Sequence, residues 1–220
     1  MTTRVHYEQE LEKLRQSLTN MSQSVEESID KLFEAVDKME DGIAEEITRQ
    51  DRNVNDMERS IEAQCLSLIT RQQPIAGDLR LVSSALKVVT DLERIGDHAV
   101  DIAELILRNR EENFLSYSTH ITPMIDASKQ MLHDAIEAFS GRNIDLAQQV
   151  IEGDDVVDEL FNKIKNDIIV LLRQNHQNPD TCIDLMMMAK YLEKIGDHAV
   201  TIAEWELFRE TGIIQNVRLL

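Results

Sequence analysis

Two carboxylate side chains that stand four residues apart occur twice in this chain, inside a repeated segment. The two copies are LERIGDHAVDIAE at 92–104 and LEKIGDHAVTIAE at 192–204. With about 100° between successive residues of a helix, Glu93 and Asp97 lie one turn apart on one face, as do Glu193 and Asp197. Paired carboxylates of this kind are suited to binding a hard cation such as Mg²⁺, Mn²⁺ or iron through oxygen atoms.

A second polar pair is predicted to face each repeated pair. If the chain folds into hairpins that turn near residues 75 and 177, positions 51–55 lie opposite 95–99, and positions 154–158 lie opposite the second copy. The predicted metal-binding sets are Asp51, Asn55, Glu93 and Asp97 in the first half, and Asp154, Asp158, Glu193 and Asp197 in the second half. The second set is predicted to bind metal better, because it has four carboxylates against three.

Electrostatic repulsion is the argument for a bound cation at these positions. A single Glu-x-x-x-Asp pair is usually a solvated helix surface, but facing pairs at equivalent positions of two halves repel one another. Arg94 and Lys194 are expected to be too close in sequence to lie over the pairs, so a metal is the favoured counter-ion. Gly96 and Gly196, which cost a helix about 1 kcal/mol each relative to Ala, indicate that a neighbouring helix or a ligand approaches the backbone there.

Other side chains give weaker signals. His98 and His198 are predicted to form hydrogen bonds at the edge of the core, and Arg80 to form a local salt bridge. Cys65 and Cys182 are predicted to be buried, reduced thiols. The chain contains no Glu-x-x-His, His-Glu-x-x-His, Walker or Gly-x-Ser-x-Gly motif. The sequence therefore predicts no catalytic residue and no organic-cofactor site.

The acidic composition excludes several classes of partner. The chain has 41 acidic and 23 basic residues, a net charge of −18, which is the wrong sign for nucleic acid or an anionic membrane surface. No apolar run approaches the roughly 20 residues of a membrane-spanning helix, and the N-terminus lacks the apolar region of a signal peptide. We therefore expect a cytoplasmic protein with no membrane insertion.

Apolar residues at helical spacing predict an all-α fold without a β-sheet. The six predicted helices run from about 7 to 39, 43 to 71, 78 to 110, 123 to 141, 144 to 174 and 179 to 209. Asp78, Thr122 and Asn178 are predicted N-caps, and Gly212 follows the last helix. The predicted domains are two antiparallel three-helix bundles at 1–110 and 121–210, packed side by side, with a linker at 111–120 and a C-terminal tail at 211–220.

These features together resemble the bacterial PhoU family of phosphate-signalling proteins. The resemblance covers essentially the whole chain and rests on the repeated Leu-Glu-Arg/Lys-Ile-Gly-Asp, on Asp51-x-x-Val54-Asn55 and on Gln73-Pro74-x-Ala76-x-Asp78-Leu79-Arg80. It implies two similar three-helix bundles, and it implies iron or other metal ions, in some members as clusters, at the paired acidic motifs. Asn55 departs from the acidic pattern and leaves the first-half site one charge short.

The same resemblance implies a regulatory function without enzymatic activity. Members link the ATP-binding subunit of the phosphate ABC transporter to a membrane-bound sensor histidine kinase, and they repress phosphate uptake and the phosphate-starvation response when phosphate is plentiful. We expect a homodimer that is peripherally associated with its inner-membrane partners. With no evident basic cradle for free phosphate, we expect indirect phosphate sensing through acidic helix faces. A carboxylate-bridged metal enzyme and a metal-buffering helical bundle are the alternatives.

Overall fold

Six segments with apolar residues at every third or fourth position form six long helices. The computed structural model describes residues 3–38, 42–109, 111, 113–174, 178–214 and 217–218. The helices are α1 (Thr3–Lys38), α2 (Ile43–Gln72), α3 (Ala76–Arg108), α4 (Ile121–Gly141), α5 (Ile144–Arg173) and α6 (Pro179–Thr211). A 3₁₀ turn lies at Phe114–Tyr117. The predicted all-α class is confirmed.

A short antiparallel hairpin is the exception to the prediction of no β-sheet. Strands β1 (Ile213–Ile214) and β2 (Val217–Arg218) pair just after α6. Gly212 has a φ of 77° and ends α6 as its C-cap, as predicted. Periodicity arguments do not detect strands of two residues.

Helices α1 to α3 form one bundle, helices α4 to α6 form the other, and α3 packs against α6 between them. The central pair is antiparallel: the Ser84 hydroxyl donates to the carbonyl oxygen of Trp205 at one end (3.2 Å), and the Asn109 amide donates to Asp184 at the other (2.8 Å). The motif copies supply the same buried apolar positions on both helices. The predicted pair of pseudo-repeated bundles, packed side by side, is therefore confirmed.

Two of the three predicted N-caps are wrong. Helix α3 begins at Ala76 after an extended Ile75, and α4 begins at Ile121 after His120. Asp78 consequently lies in the first turn of α3, where its charge favours the positive end of the helix dipole. Asn178 followed by Pro179 does begin α6. The predicted end of α1 at residues 39–41 lies outside the described residues.

The segment between the bundles is anchored to the second bundle. Phe114 is buried, and the Ser118 hydroxyl donates a 2.7 Å hydrogen bond to Asp167 of α5. These contacts limit the freedom of the segment that joins α3 to α4.

Among the described residues, none of the six long helices contains a stretch with the length and hydropathy of a membrane-spanning segment.

Candidate metal-binding sites

Gly96 and Gly196 mark the level at which α2 approaches α3 and α5 approaches α6. A Cβ atom on Gly96 would lie 3.0 Å from Asp51 Oδ1, and one on Gly196 would lie 3.6 Å from Asp154 Oδ1. The hairpin register expected from the sequence is therefore observed in both halves. Of the two explanations for these glycines, the structure supports a neighbouring helix, whose aspartate lies over the glycine.

The first-half site contains a buried carboxylate oxygen without a partner. Asn55 donates a 3.0 Å hydrogen bond to Asp51 Oδ2, whereas Asp51 Oδ1 is buried and accepts none. Burial, together with the charges of Asp97 and Glu93, raises the pKa of Asp51 to about 6. An unpartnered oxygen beside two like charges is a position at which a cation or a proton stabilises the site.

The second-half site has Asp154 at the position of Asp51 and a fourth carboxylate, Asp158, at the position of Asn55. Burial raises the pKa of Asp154, and the nearby charges of Asp158, Asp197 and Glu193 act in the same direction. Asp158 is exposed, so this set opens to solvent on the α5 side. The site therefore resembles the first half in chemistry but is more accessible at one ligand position.

Basic side chains lie closer to the carboxylates than the sequence suggested. Arg94 Nη1 lies 3.3 Å from Asp97 Oδ2, and its Nε lies 3.6 Å from Glu93. Lys194 pairs with Asp197, and this hydrogen bond raises the pKa of the lysine. The expectation that these two residues cannot lie over the pairs is wrong, because long side chains reach one turn along the helix.

The eight predicted residues fit a hard cation in chemistry, although their oxygens are not gathered into a cage. Their donors are oxygens, apart from the amide nitrogen of Asn55, and one buried oxygen lacks a partner. Within the described part of the chain, three ligand atoms lie within 4.8 Å of one another only at His133, Asp134 and Glu137 on α4. Side chains of the predicted sets would have to turn away from Arg94 or Lys194 to ligate a metal.

The two motif histidines meet at the α3–α6 interface. Their ring centres lie 5.7 Å apart, with His98 stacked on Tyr191 and His198 Nδ1 lying 2.9 Å from Asp91. Both histidines are half-buried at the edge of the core, as predicted. Only His198 makes the predicted hydrogen bond, because His98 Nδ1 is buried without a hydrogen-bond partner. Positions 91 and 191 are equivalent in the repeat but carry Asp and Tyr, a difference that could have indicated the interface.

Arginines of α1 and α6 and the arginine directly after α4 converge elsewhere between the bundles. Arg15, Arg142 and Arg209 line a cavity of about 70 Å³. The sequence did not indicate this cluster, because residues so far apart along the chain give no local signal. Arg80 was expected to form a local salt bridge, but its Nε donates to the backbone oxygen of Arg209, 2.9 Å away.

Comparisons with known proteins place both halves in one family. Residues 18–106 and 121–205 each match the PhoU domain. The chain is 36% identical over 211 residues to the phosphate-specific transport system accessory protein PhoU homolog of Clostridium acetobutylicum, covering 96% of each chain. It is 31% identical over 213 residues to PhoU homolog 1 of Thermotoga maritima, covering 96% of this chain and 92% of the relative.

Two solved structures have the same fold. The crystal structure of PhoU from Pseudomonas aeruginosa superposes with a TM-score of 0.87 at 29% identity, covering 94% of this chain and all (100%) of that one. The crystal structure of the phosphate transport system regulatory protein PhoU from Streptococcus pneumoniae superposes with a TM-score of 0.85 at 27% identity, covering 96% of this chain and 100% of that one. The likeness thus extends over both bundles.

Proposed function

We propose a function that proceeds from one fact: the chain belongs to the PhoU family. The observation that carries the proposal is the match of the family domain to both halves, with relatives above 30% identity spanning nearly the whole chain. The relatives are named as accessory proteins of phosphate-specific transport. We infer that this protein is likewise a non-enzymatic accessory and regulator of phosphate transport.

The proposed mechanism is protein–protein contact. The protein couples the ATP-binding subunit of the phosphate ABC transporter to a sensor histidine kinase, and it represses phosphate uptake and the starvation response when phosphate is plentiful. It acts in the cytoplasm as a homodimer beside its inner-membrane partners. The net charge of −18 supports contacts in which acidic helix faces meet basic surfaces of the partners.

The paired carboxylates are proposed to hold metal ions. Asp51, Asn55, Glu93 and Asp97 form one site, and Asp154, Asp158, Glu193 and Asp197 form the other. The proposed ions are iron, Mn²⁺ or Mg²⁺, one or more in each site. The unpartnered Asp51 oxygen and the repulsion among the carboxylates support this assignment. A bound ion would supply positive charge between the two helices of each hairpin.

Binding to each purified partner across a salt series tests the proposal. Because exposed charges are screened beyond a Debye length of about 8 Å at physiological ionic strength, affinity should fall as NaCl rises from 50 to 500 mM, on the order of tenfold or more. Absence of binding to both partners at low salt would contradict the proposal. Turnover of a phosphoester in the presence of Mn²⁺ or Fe²⁺ would instead favour a metal enzyme.

A further inference from the structure

A small cavity lies where α1, α3, α4 and α6 meet, at the junction of the two bundles. Its volume is about 70 Å³, whereas a single water molecule needs about 10–15 Å³. A tetrahedral oxyanion is of this size. The apolar part of the wall includes Phe139, and the polar part includes Arg15, Ser22, Ser140, Arg142 and Arg209.

Arg209 is the buried member of the polar wall. Its side chain is only 7% exposed, and its guanidinium carbon lies 4.5 Å from the ring centre of Phe139. Nε and Nη2 make no hydrogen bond. Nη2 lies 2.6 Å from Glu206 Oε2, close enough for an ion pair but without the alignment of a hydrogen bond. A buried guanidinium with unused donors is costly unless a further acceptor is present.

The neighbouring carboxylates leave the arginines only partly neutralised. Burial raises the pKa of the fully buried Glu206 to about 7, so its negative charge is incomplete near neutral pH. Glu210 lies 3.6 Å from Arg209 Nε and 3.8 Å from Arg142 Nε, distances longer than a hydrogen bond. Arg15 Nη1 donates a 3.2 Å hydrogen bond to Glu12. Because a guanidinium has five N–H donors, each of the three arginines still keeps donors for another anion.

Two arginines at the mouth of the cavity reach solvent. The side chains of Arg15 and Arg142 are 41% and 54% exposed, so an ion can enter between them. Arg142 has a φ of 57° directly after α4, a conformation that favours Gly over a bulky residue. The net charge of the protein does not decide the local field, because salt screens distant carboxylates beyond about 8 Å.

We propose that this cavity binds a free tetrahedral oxyanion of the size of inorganic phosphate. Arg15, Arg142 and Arg209 would hold it, since guanidinium groups bind oxyanions through paired N–H donors, and the Ser22 and Ser140 hydroxyls would add donors. The ion would connect α1 of the first bundle to α4 and α6 of the second. The proposal goes beyond the regulatory function above, which requires no ligand here.

Calorimetric titration of the full-length, chelator-treated protein with inorganic phosphate, and separately with sulfate, tests the proposal. We expect one ion per chain. Arg142→Gly and Arg15→Ala should each weaken binding at least about tenfold, the effect of losing a charged hydrogen-bond donor. Arg142→Gly should also keep or raise Tm, because Gly adopts this backbone conformation more easily. Arg209 is left unchanged, since its removal would strand the buried Glu206.

One control variant locates the effect. Arg59→Ala removes an exposed arginine of α2 and should bind phosphate as the wild type does. The proposal is overturned if neither anion binds at millimolar concentration, or if both pocket variants bind like the wild type. Binding of glycerol phosphate as tight as that of phosphate would overturn the assignment to a free ion. Partner binding is measured separately, so failure of the regulatory function is distinguishable.

Discussion

The two carboxylate sites are built on the same motif but differ in the charges beside it. In the first half, Glu58 approaches Glu93, and burial followed by that charge raises the Glu58 pKa. The equivalent position in the second half is Phe161, and Lys190 lies over its ring at 5.4 Å while pairing with Glu193. Position 90, which corresponds to Lys190, is Thr.

The two sites have the same formal charge when the neighbouring carboxylates are counted in both. The first half combines four carboxylates, one of them Glu58, with Arg94, giving −3; the second combines five carboxylates, one of them Asp155, with two lysines, also giving −3. The second half thus has more carboxylate ligands, but Lys190 and Lys194 pair with two of them and compete with a metal ion for their charge. The metal affinity of each site depends both on its number of carboxylates and on its number of basic side chains. Variants that change one of these numbers at a time therefore test the prediction that the second site binds metal better.

The largest expected effect follows from removing ligands. Asp154→Asn with Asp197→Asn should lower the metal affinity of the second half by more than about tenfold, since carboxylate charge sets affinity for hard cations, and should leave the first half loaded. Elemental analysis after dialysis at limiting Mn²⁺ measures this. Asp155→Asn, which changes the exposed neighbour in the same way, is the control. Unchanged metal content in the double variant would remove these residues from consideration.

The next effect is on the stability of the metal-free protein. The folded pKa of Asp51 is about 6, above its ordinary value, so its favourable contribution is present below about pH 4 and is lost as pH rises through 6. Asp51→Asn should therefore stabilise the protein at pH 7.5 by on the order of 1 kcal/mol, after allowance for solvent screening, and the gain should vanish near pH 4. Urea unfolding at both pH values measures it.

The matched variant in the other half sharpens this prediction. Asp154→Asn should stabilise the metal-free protein less than Asp51→Asn does, because two lysines already offset charge in the second half. Equal gains from the two variants, or a gain from Asp51→Asn that persists at pH 4, would contradict the electrostatic explanation.

A smaller effect is expected from removing the internal competitor. Lys190→Thr gives the second half the residue of the first, and it should strengthen metal binding there about threefold, as expected for one partly exposed ion pair of less than about 1 kcal/mol. Calorimetric titration with Mn²⁺ checks this. Lys163→Thr, which removes a lysine paired with exposed Glu159, should change nothing. Weaker binding in Lys190→Thr would mean that the lysine supports the site.

The smallest expected effect concerns the two glycines. A Cβ on Gly196 would make ordinary contacts, 3.5 Å from Val157 and 3.6 Å from Asp154, so Gly196→Ala should gain about 0.5 kcal/mol of stability from helix propensity. On Gly96 the contact with Asp51 Oδ1 is 3.0 Å, so Gly96→Ala should gain less or lose stability. Thermal unfolding of the metal-free variants compares them. A larger gain for Gly96→Ala would show that Asp51 moves freely.

Much of the fold could be predicted because its determinants repeat. Periodic apolar residues indicated the helices, and the repeated motif indicated both the pseudo-symmetry and the register of Asp51 against Gly96. Helix starts at Ala76 and Ile121 were missed, since the chain enters these helices without a side-chain cap. Spacing also could not show that Arg94 bends toward its own carboxylates, nor that Arg15, Arg142 and Arg209 meet, because these depend on side-chain reach and on packing between bundles.

The most direct test of the metal assignment is anomalous scattering from a crystal of the protein grown with Mn²⁺ or Fe²⁺. We expect a peak between α5 and α6, within coordination distance of Asp154 and Asp197, and a peak between α2 and α3 beside the unpartnered oxygen of Asp51. Peaks confined to His133, Asp134 and Glu137 on the exposed face of α4, with none at the paired carboxylates, would contradict it.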